Sequence, residues 1–394
     1  MSRMLALFLL CFLLFPSPTQ SADLPKTDPK VVEQLKTYLL SHYMTPEDYV
    51  ISKFQDHDVV FLGEEHLYRP NLQLVQALIP RLYQKGIFTL AIEFARHEDQ
   101  PLIDRLLNAP NYDEVLARQI TFNQYVFWGF QEYVDVYKTA WHLNHQLPGG
   151  SRRFRILGVN CSPDWSVIQR EEDEHNHELR VKVWQNCGKQ PEESWAKVIL
   201  DEVVAKREKA LVYSGMHHAF TRYRQPIYSE EKQGFAGFGD VRMGNFVFNA
   251  VGKRAFTISL HMGWPSEHGY DKPDTYAADG YIDALMANIG PKFRRAGFDT
   301  RGTPFGNLPG NNSVYKYGYE NFTLTAFCDG YIIQGPLHAY EGVTPIKDFV
   351  NESNLAHARS QSPDPKFRHA TSEEFNRAIA EDELESQKKL TSFH

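Results

Sequence analysis

Two short motifs of the same form carry the residues best suited to chemistry. GEEH at 63–66 contributes Glu64, Glu65 and His66, and GMHH at 215–218 contributes His217 and His218. Between them in the chain stands Glu93, at the end of the apolar run FTLAIEF. Imidazole titrates near neutrality, and a carboxylate on one ring nitrogen turns the other into an oriented general base. The same groups bind divalent metal with an open position for water, which the ion then acidifies. Glu64, His66, Glu93 and His218 are therefore the expected catalytic residues. If a divalent ion joins them, His66, Glu93 and His218 are the expected ligands. Glu65, Asn160, His217, Arg242 and His261 are expected to line the pocket.

For these residues to meet, the elements carrying them must end at one rim. Apolar runs at 57–63, 88–94, 154–160, 210–215 and 255–261 read as strands, and helical periods separate them at 28–40, 70–86, 166–185, 191–207 and 241–251. Short, fully apolar strands alternating with helices predict a three-layer α/β/α fold around a mostly parallel sheet. Ligands of such sheets bind beyond the carboxyl ends of the strands. Four of the five runs lead at once into an ionisable group and the fifth ends in Asn160. This predicts one cleft walled by carboxylates and imidazoles.

Residues 97–150 are too long for a plain crossover and predict a helical cap inserted over the strand ends. Its aromatic residues Tyr125, Trp128, Tyr133, Tyr137 and Trp141 fit helix packing, and in that position would also wall a substrate pocket. Residues 264–325 read as a loop-rich lid region, and KFRRAGFDTRGTPFG at 292–306 reads as a mobile lid presenting Arg294, Arg295 or Arg301. A last strand is expected within 326–335. Residues 23–351 then make a single α/β domain, and 352–394 a polar, partly helical tail.

Composition narrows the function classes. With 394 residues and a formal charge of −7, the chain lacks the basic surplus that phosphate binding requires, which argues against nucleic acid. Arg3 precedes an apolar run at 4–15 and a small, polar stretch, as in a secretory signal ending near residue 22. Its twelve apolar residues are fewer than the roughly 20 of a membrane span, and no later run is long enough. The expected location is therefore periplasmic or secreted. Cys161, Cys187 and Cys328 then remain, enough for one bridge, for which Cys161 with Cys187 is the simplest pairing, and one leftover thiol.

The order G-E-x-x-H, strand ending in Glu, LGVN, acidic helix, G-x-x-H and RMG at 242–244 resembles the superfamily joining erythromycin esterases, TIKI/TraB-type proteins and ChaN haem-binding proteins. The resemblance spans roughly 57–262. It implies an exported hydrolase in which a glutamate-oriented histidine activates water against an ester, or metal-dependent cleavage of a peptide bond. The substrate would be a small molecule or a peptide. The ChaN branch implies the alternative, a haem- or metal-complex-binding protein without catalysis. Esterase members resemble G-E-x-T-H-G, whereas Glu65 and Leu67 stand here in the places of Thr and Gly.

Plainer readings compete for several residues. Glu64 or Glu65 would serve as a first-turn helix acid, and Glu93 as the partner of Arg69 or Arg242. The run 170–178, with Asp173, reads as a solvated helix face rather than a metal cluster.

Overall fold

The computed structural model describes residues 24–229 and 234–393, so the expected signal segment lies outside the described residues. Seven strands form the central sheet in the order β3-β2-β4-β1-β7-β9-β8. They are β1 (Val59–Glu64), β2 (Thr89–Arg96), β3 (Arg155–Asn160), β4 (Ala210–Gly215), β7 (Ala255–Leu260), β8 (Ala296–Asp299) and β9 (Gly330–Ile333), while β5 (Gln225–Ser229) and β6 (Gly234–Gly239) pair as a separate hairpin. All sheet pairings are parallel except β8 with β9. This is the expected mostly parallel α/β/α architecture.

The continuous apolar runs result from burial on both faces. Val60, Leu62, Leu90, Ile92 and Leu211 face a core shared with the helices Arg69–Gln84, Gln100–Asn108, Glu114–Gln124 and Gln131–Gln146. Val59, Phe61, Ala91, Leu157 and Val212 face the other, shared with Pro191–Ile199 and Met243–Val251. Each Val, Leu, Ile or Phe among them contributes about 1.5–3 kcal/mol on full burial, and a one-residue register slip would exchange the two cores. No described helix is long and apolar enough to cross a membrane.

Four details differ from the sequence expectation. First, β2 continues past Glu93 to Arg96. This is possible because Gly158 of β3 lets the Arg96 carbonyl lie within 2.5 Å of where a Cβ would stand. Second, the stretch 166–185 is short 3₁₀ turns and the small helix His177–Val183 rather than one long helix. Asp173 there accepts the Gln169 and Arg170 amides at 3.0 Å, so it caps its own turn. Third, the segment read as a lid supplies β8 instead. Arg295 pairs with Glu47 at 2.9 Å. Arg301 pairs with Asp329 at 2.7 Å, just before β9 begins and so at the rim opposite the histidines. Fourth, residues beyond 351 are not a separate tail. The helix Ser372–Thr391 buries Phe375, Ile379 and Leu390, and Phe393 extends it into the core.

Candidate active site

Sheet order creates the site. Because β4 lies between β2 and β1, the ends of three adjacent strands deliver Glu93, Gly215 and Glu64 side by side. Glu64 is in register with Gly215 and Ile92 with Tyr213. The two G-x-x-H motifs therefore adjoin in space, with Glu93 against the second.

Glu64 is fully buried and surrounded by donors. Its Oε1 lies 3.0 Å from His66 Nδ1 and accepts from Tyr133 Oη at 2.9 Å, while Tyr213 Oη donates to Oε2. Burial raises the Glu64 pKa above the ordinary carboxylate value, opposed by His66 and the two tyrosines. With Nδ1 committed to Glu64, the free nitrogen of His66 is Nε2. The imidazole side chain is 38% exposed. It stands edge-on to Phe94 and Trp128, with ring centroids 5.6 and 5.2 Å away. Its Cε1 and Nε2 lie 2.7 and 3.0 Å from where a Cβ on Gly215 would be. Burial works to lower the His66 pKa, but the Glu64 hydrogen bond and the charges of Glu93, Glu64 and Glu65 outweigh it, and the value is raised.

Leu67, next in the chain, has φ +67°, a conformation costing a non-glycine residue about 1–3 kcal/mol. It turns the chain off β1 within a few residues of Glu64 and is held by its own amide, which donates to Tyr133 Oη at 3.2 Å. Tyr133 therefore braces both the carboxylate and the turn. In the esterase-like motif this place belongs to glycine, and Leu67 adopts the left-handed backbone nonetheless.

The second motif is wired differently. His218 Nε2 lies 3.2 Å from Glu93 Oε1, and Nδ1 lies 2.7 Å from Glu192 Oε1. Burial opposes the imidazolium, but the two carboxylates prevail and lift its pKa to about 10. Burial likewise works to raise Glu93, yet His218, His66 and the Gly215 amide, donating at 2.7 Å, bring it down to about 2. Glu192 also accepts from Arg242 Nη1 at 3.0 Å and from the Met243 amide at 2.8 Å. An alternating row of charges results, buried at its two ends and partly buried between: Arg242, Glu192, His218, Glu93.

This wiring bears on the metal reading through geometry. Both ring nitrogens of His218 are turned to carboxylates, Nε2 to Glu93 itself and Nδ1 to Glu192, so neither is directed at a position shared with His66 and Glu93. No group of three or more His, Cys, Asp or Glu able to hold a metal ion occurs among the described residues. The expected metal site does not fit this arrangement.

The pocket residues divide. His217 Nε2 meets Tyr315 Oη at 2.8 Å, and burial, reinforced by the charges of Arg242, His218 and His66, pushes its pKa well below the ordinary value. It is thus a neutral imidazole beside the cationic one. Glu65 lies 3.9 Å from Lys389. Asn160 Nδ2 donates to the Glu93 carbonyl at 3.2 Å and its Oδ1 accepts the Cys161 amide at 2.8 Å, so it fixes backbone. Next to it, Cys161 and Cys187 form the expected disulfide, and Cys328 is the buried free thiol. Arg242 is buried under the site and pairs with Glu192, while Arg69 pairs with Glu132 at 3.0 Å; these pairings set aside the two salt bridges weighed for Glu93. His261 is corrected outright. It has no exposed surface, and its nitrogens meet Tyr331 Oη at 2.9 Å and Asp283 Oδ1 at 3.1 Å, so it lines no pocket.

Three contributors were not legible as site residues. Glu192 looks like any first-turn helix acid, Tyr133 like one more packing aromatic, and Tyr213 differs from its strand neighbours only by a hydroxyl that burial obliges to find a partner. A separate cavity of about 650 Å³, lined by Phe54, Phe88, Arg152 and Lys209 among others, lies where β2 and β4 begin, at the other end of the sheet.

Fold and site together define an α/β protein with a carboxylate–histidine pair at the carboxyl ends of its parallel strands. Residues 50–165 match the family described as haem-binding uptake, Tiki superfamily, ChaN. That stretch carries Glu64, His66 and Glu93 and is similar to the Tiki/ChaN superfamily, the resemblance the motifs lead one to expect; the second histidine motif lies outside it. No curated protein matches the chain. Among solved structures it is similar to a succinoglycan biosynthesis protein (10% identity, 80% of this chain and 97% of that one, TM-score 0.46). It is also similar to an erythromycin esterase mutant in its open conformation (11%, 79% and 96%, TM-score 0.42) and to ChaN of Campylobacter jejuni with cofacially bound haem (16%, 56% and 87%, TM-score 0.34). Residue roles do not transfer across likenesses of this size.

Proposed function

We propose that the chain is an exported hydrolase in which the Glu64–His66 pair activates water against an ester or peptide bond. The observation carrying this reading is the division of labour between the two motif histidines. His218 has both nitrogens committed to carboxylates, whereas His66 is 38% exposed and bonds Glu64 through Nδ1 alone, leaving Nε2 free. Glu64 accepts Nδ1–H and leaves the Nε2 lone pair to take a proton from water. As the proton transfers, the buried carboxylates Glu64 and Glu93 stabilise the imidazolium that forms. The row Arg242, Glu192, His218 keeps Glu93 ionised for that purpose, and Trp128 and Phe94 hold the ring edge-on. Export is supported by the N-terminal sequence and by the Cys161–Cys187 disulfide, a bond that persists mainly in oxidising compartments.

A panel of ester and peptide substrates, assayed with wild type, His66→Ala and Glu64→Gln, tests the reading. Turnover by the wild type and a loss of at least about 10³-fold in His66→Ala are expected; full activity in that variant sinks it.

The family description favours a second reading, capture of haem by the same cleft. An imidazole held by a carboxylate on one nitrogen could offer the other to a haem iron, and Phe94 and Trp128 flank it with rings. His66 would be the ligand. Haem titration monitored at the Soret band, with His66→Ala alongside, tests it: no spectral change in the wild type rejects this reading.

A further inference from the structure

The loop that carries His66 is stitched to distant parts of the chain, and the stitching leads to the C-terminal helix. Segment 341–346 runs as a strap between two loops. On one side the Val343 amide donates to the Leu67 carbonyl at 3.1 Å, the Arg69 amide donates to the Glu341 carbonyl at 3.0 Å, and Tyr68 bridges Gly342. On the other, the Ile346 amide donates to the Gly129 carbonyl at 2.7 Å and the Gln131 amide to the Thr344 carbonyl at 2.9 Å. The strap therefore holds the turn after His66 and the loop bearing Trp128 at a set distance from each other.

The helix Ser372–Thr391 fastens this strap. Gln387 Oε1 accepts the Gly342 amide at 2.8 Å, and its Nε2 donates to the Tyr340 carbonyl at 3.4 Å. Two residues on, Lys389 Nζ stands 3.9 Å from Glu65 and 3.8 Å from Asp274, bridging the His66 loop to the segment after β7. The helix itself is seated by other side chains, Phe375, Ile379 and Leu390, with Phe393 just after it, all buried. Gln387 reaches the strap, while Lys389 reaches the His66 loop and the segment after β7.

We propose that Gln387 and Lys389 are positioning residues for His66. Through Gly342 and Glu65 they clasp the loop whose turn at Leu67 has a left-handed backbone, and so keep Nε2 aimed between Trp128 and Gly215. The inference deepens the hydrolase reading and rests on it for its consequence in turnover. The clasp itself is a structural claim that stands or falls separately.

The test is amide hydrogen exchange on the full chain, comparing wild type, Gln387→Ala/Lys389→Met and Gln387→Ala/Lys389→Arg. In the Met variant exchange at Leu67, Gly342 and Val343 should accelerate at least tenfold, with amides of β1 and β4 and the thermal midpoint unchanged. With Lys389→Arg, which keeps the cation, Leu67 should recover part of its protection while Gly342 does not. Where a substrate is turned over, kcat should fall in the Met variant with KM nearly constant. Unchanged exchange at the three amides overturns the proposal. So does equal acceleration throughout β1 and β4, since that would make the pair general supports of the fold. Accelerated loop exchange in a chain that hydrolyses nothing would uphold the clasp and reject the hydrolase.

Discussion

Gly215→Ala gives the sharpest test of the geometry. Gly215 has φ −53°, open to any residue, so alanine adds no backbone strain and acts only through its methyl group. That carbon would stand 2.7 Å from His66 Cε1, 3.0 Å from Nε2 and 3.5 Å from Glu93 Oε2. Carbon atoms in comfortable contact are about 3.5–4.0 Å apart, so the ring must retreat by about 1 Å. It then stretches the 3.0 Å bond from Nδ1 to Glu64 or turns Nε2 from the cleft. A misplacement of about 1 Å costs about 10²-fold in rate, or about 2.7 kcal/mol in the barrier. Folding should suffer far less, because only one hydrogen bond worth about 1–2 kcal/mol is disturbed. The assay is kcat/KM on a substrate found by the panel, with thermal unfolding alongside. Gly149→Ala is the control, since nothing lies within 4 Å of its added carbon. Full kcat/KM in the Gly215 variant would refute the placement of His66 against β4.

The same contacts lead to further outcomes. Tyr133→Phe strips a donor from Glu64 and the acceptor from the Leu67 amide; stability should drop by about 1–3 kcal/mol, and a variant as stable as wild type in denaturant would count against the brace. The His218 pKa is raised from 6.5 to about 10, so its stabilising contribution is complete below pH 6.5 and is lost as pH rises towards 10. Glu93, lowered from 4.5 to about 2, contributes fully above pH 4.5, and that share disappears as pH falls through 2. His218→Ala should cost about 3–5 kcal/mol by leaving the buried Glu93 without its cationic partner and should flatten the alkaline decline measured by unfolding at several pH values; an unaltered decline would contradict the assignment. As a base His66 works only when neutral, so kcat/KM should rise through a pKa above 6.5 and then level; a midpoint below 6.5 would speak against it. Reducing the Cys161–Cys187 bridge, which spans 26 residues, should lower stability by about 3.5 kcal/mol on the chain-entropy estimate, measured as a denaturant midpoint with and without reductant.

The amino-acid sequence by itself determined the fold class and the rim on which the polar residues gather. Apolar runs buried on both faces admit little but a parallel sheet between helices, and the residues next after each run must emerge at its carboxyl end. That one bridge could form was legible as well, because three cysteines remain after the expected signal; the pairing of Cys161 with Cys187 was settled by the structure. Which histidine stays free was decided by tertiary structure alone. Glu192 reaches His218 from a helix start 26 residues away, and nothing local distinguishes that acid from Glu193 beside it. His261 looked like its motif counterparts in sequence, yet β7 lies beyond β1 in the sheet, where Asp283 and Tyr331 from later segments enclose it. The sheet-edge role of 296–299 and the docking of the last helix likewise depended on long-range contacts. Local pattern records which face of an element is buried; it does not record which partner, far along the chain, supplies the burial or the opposing charge.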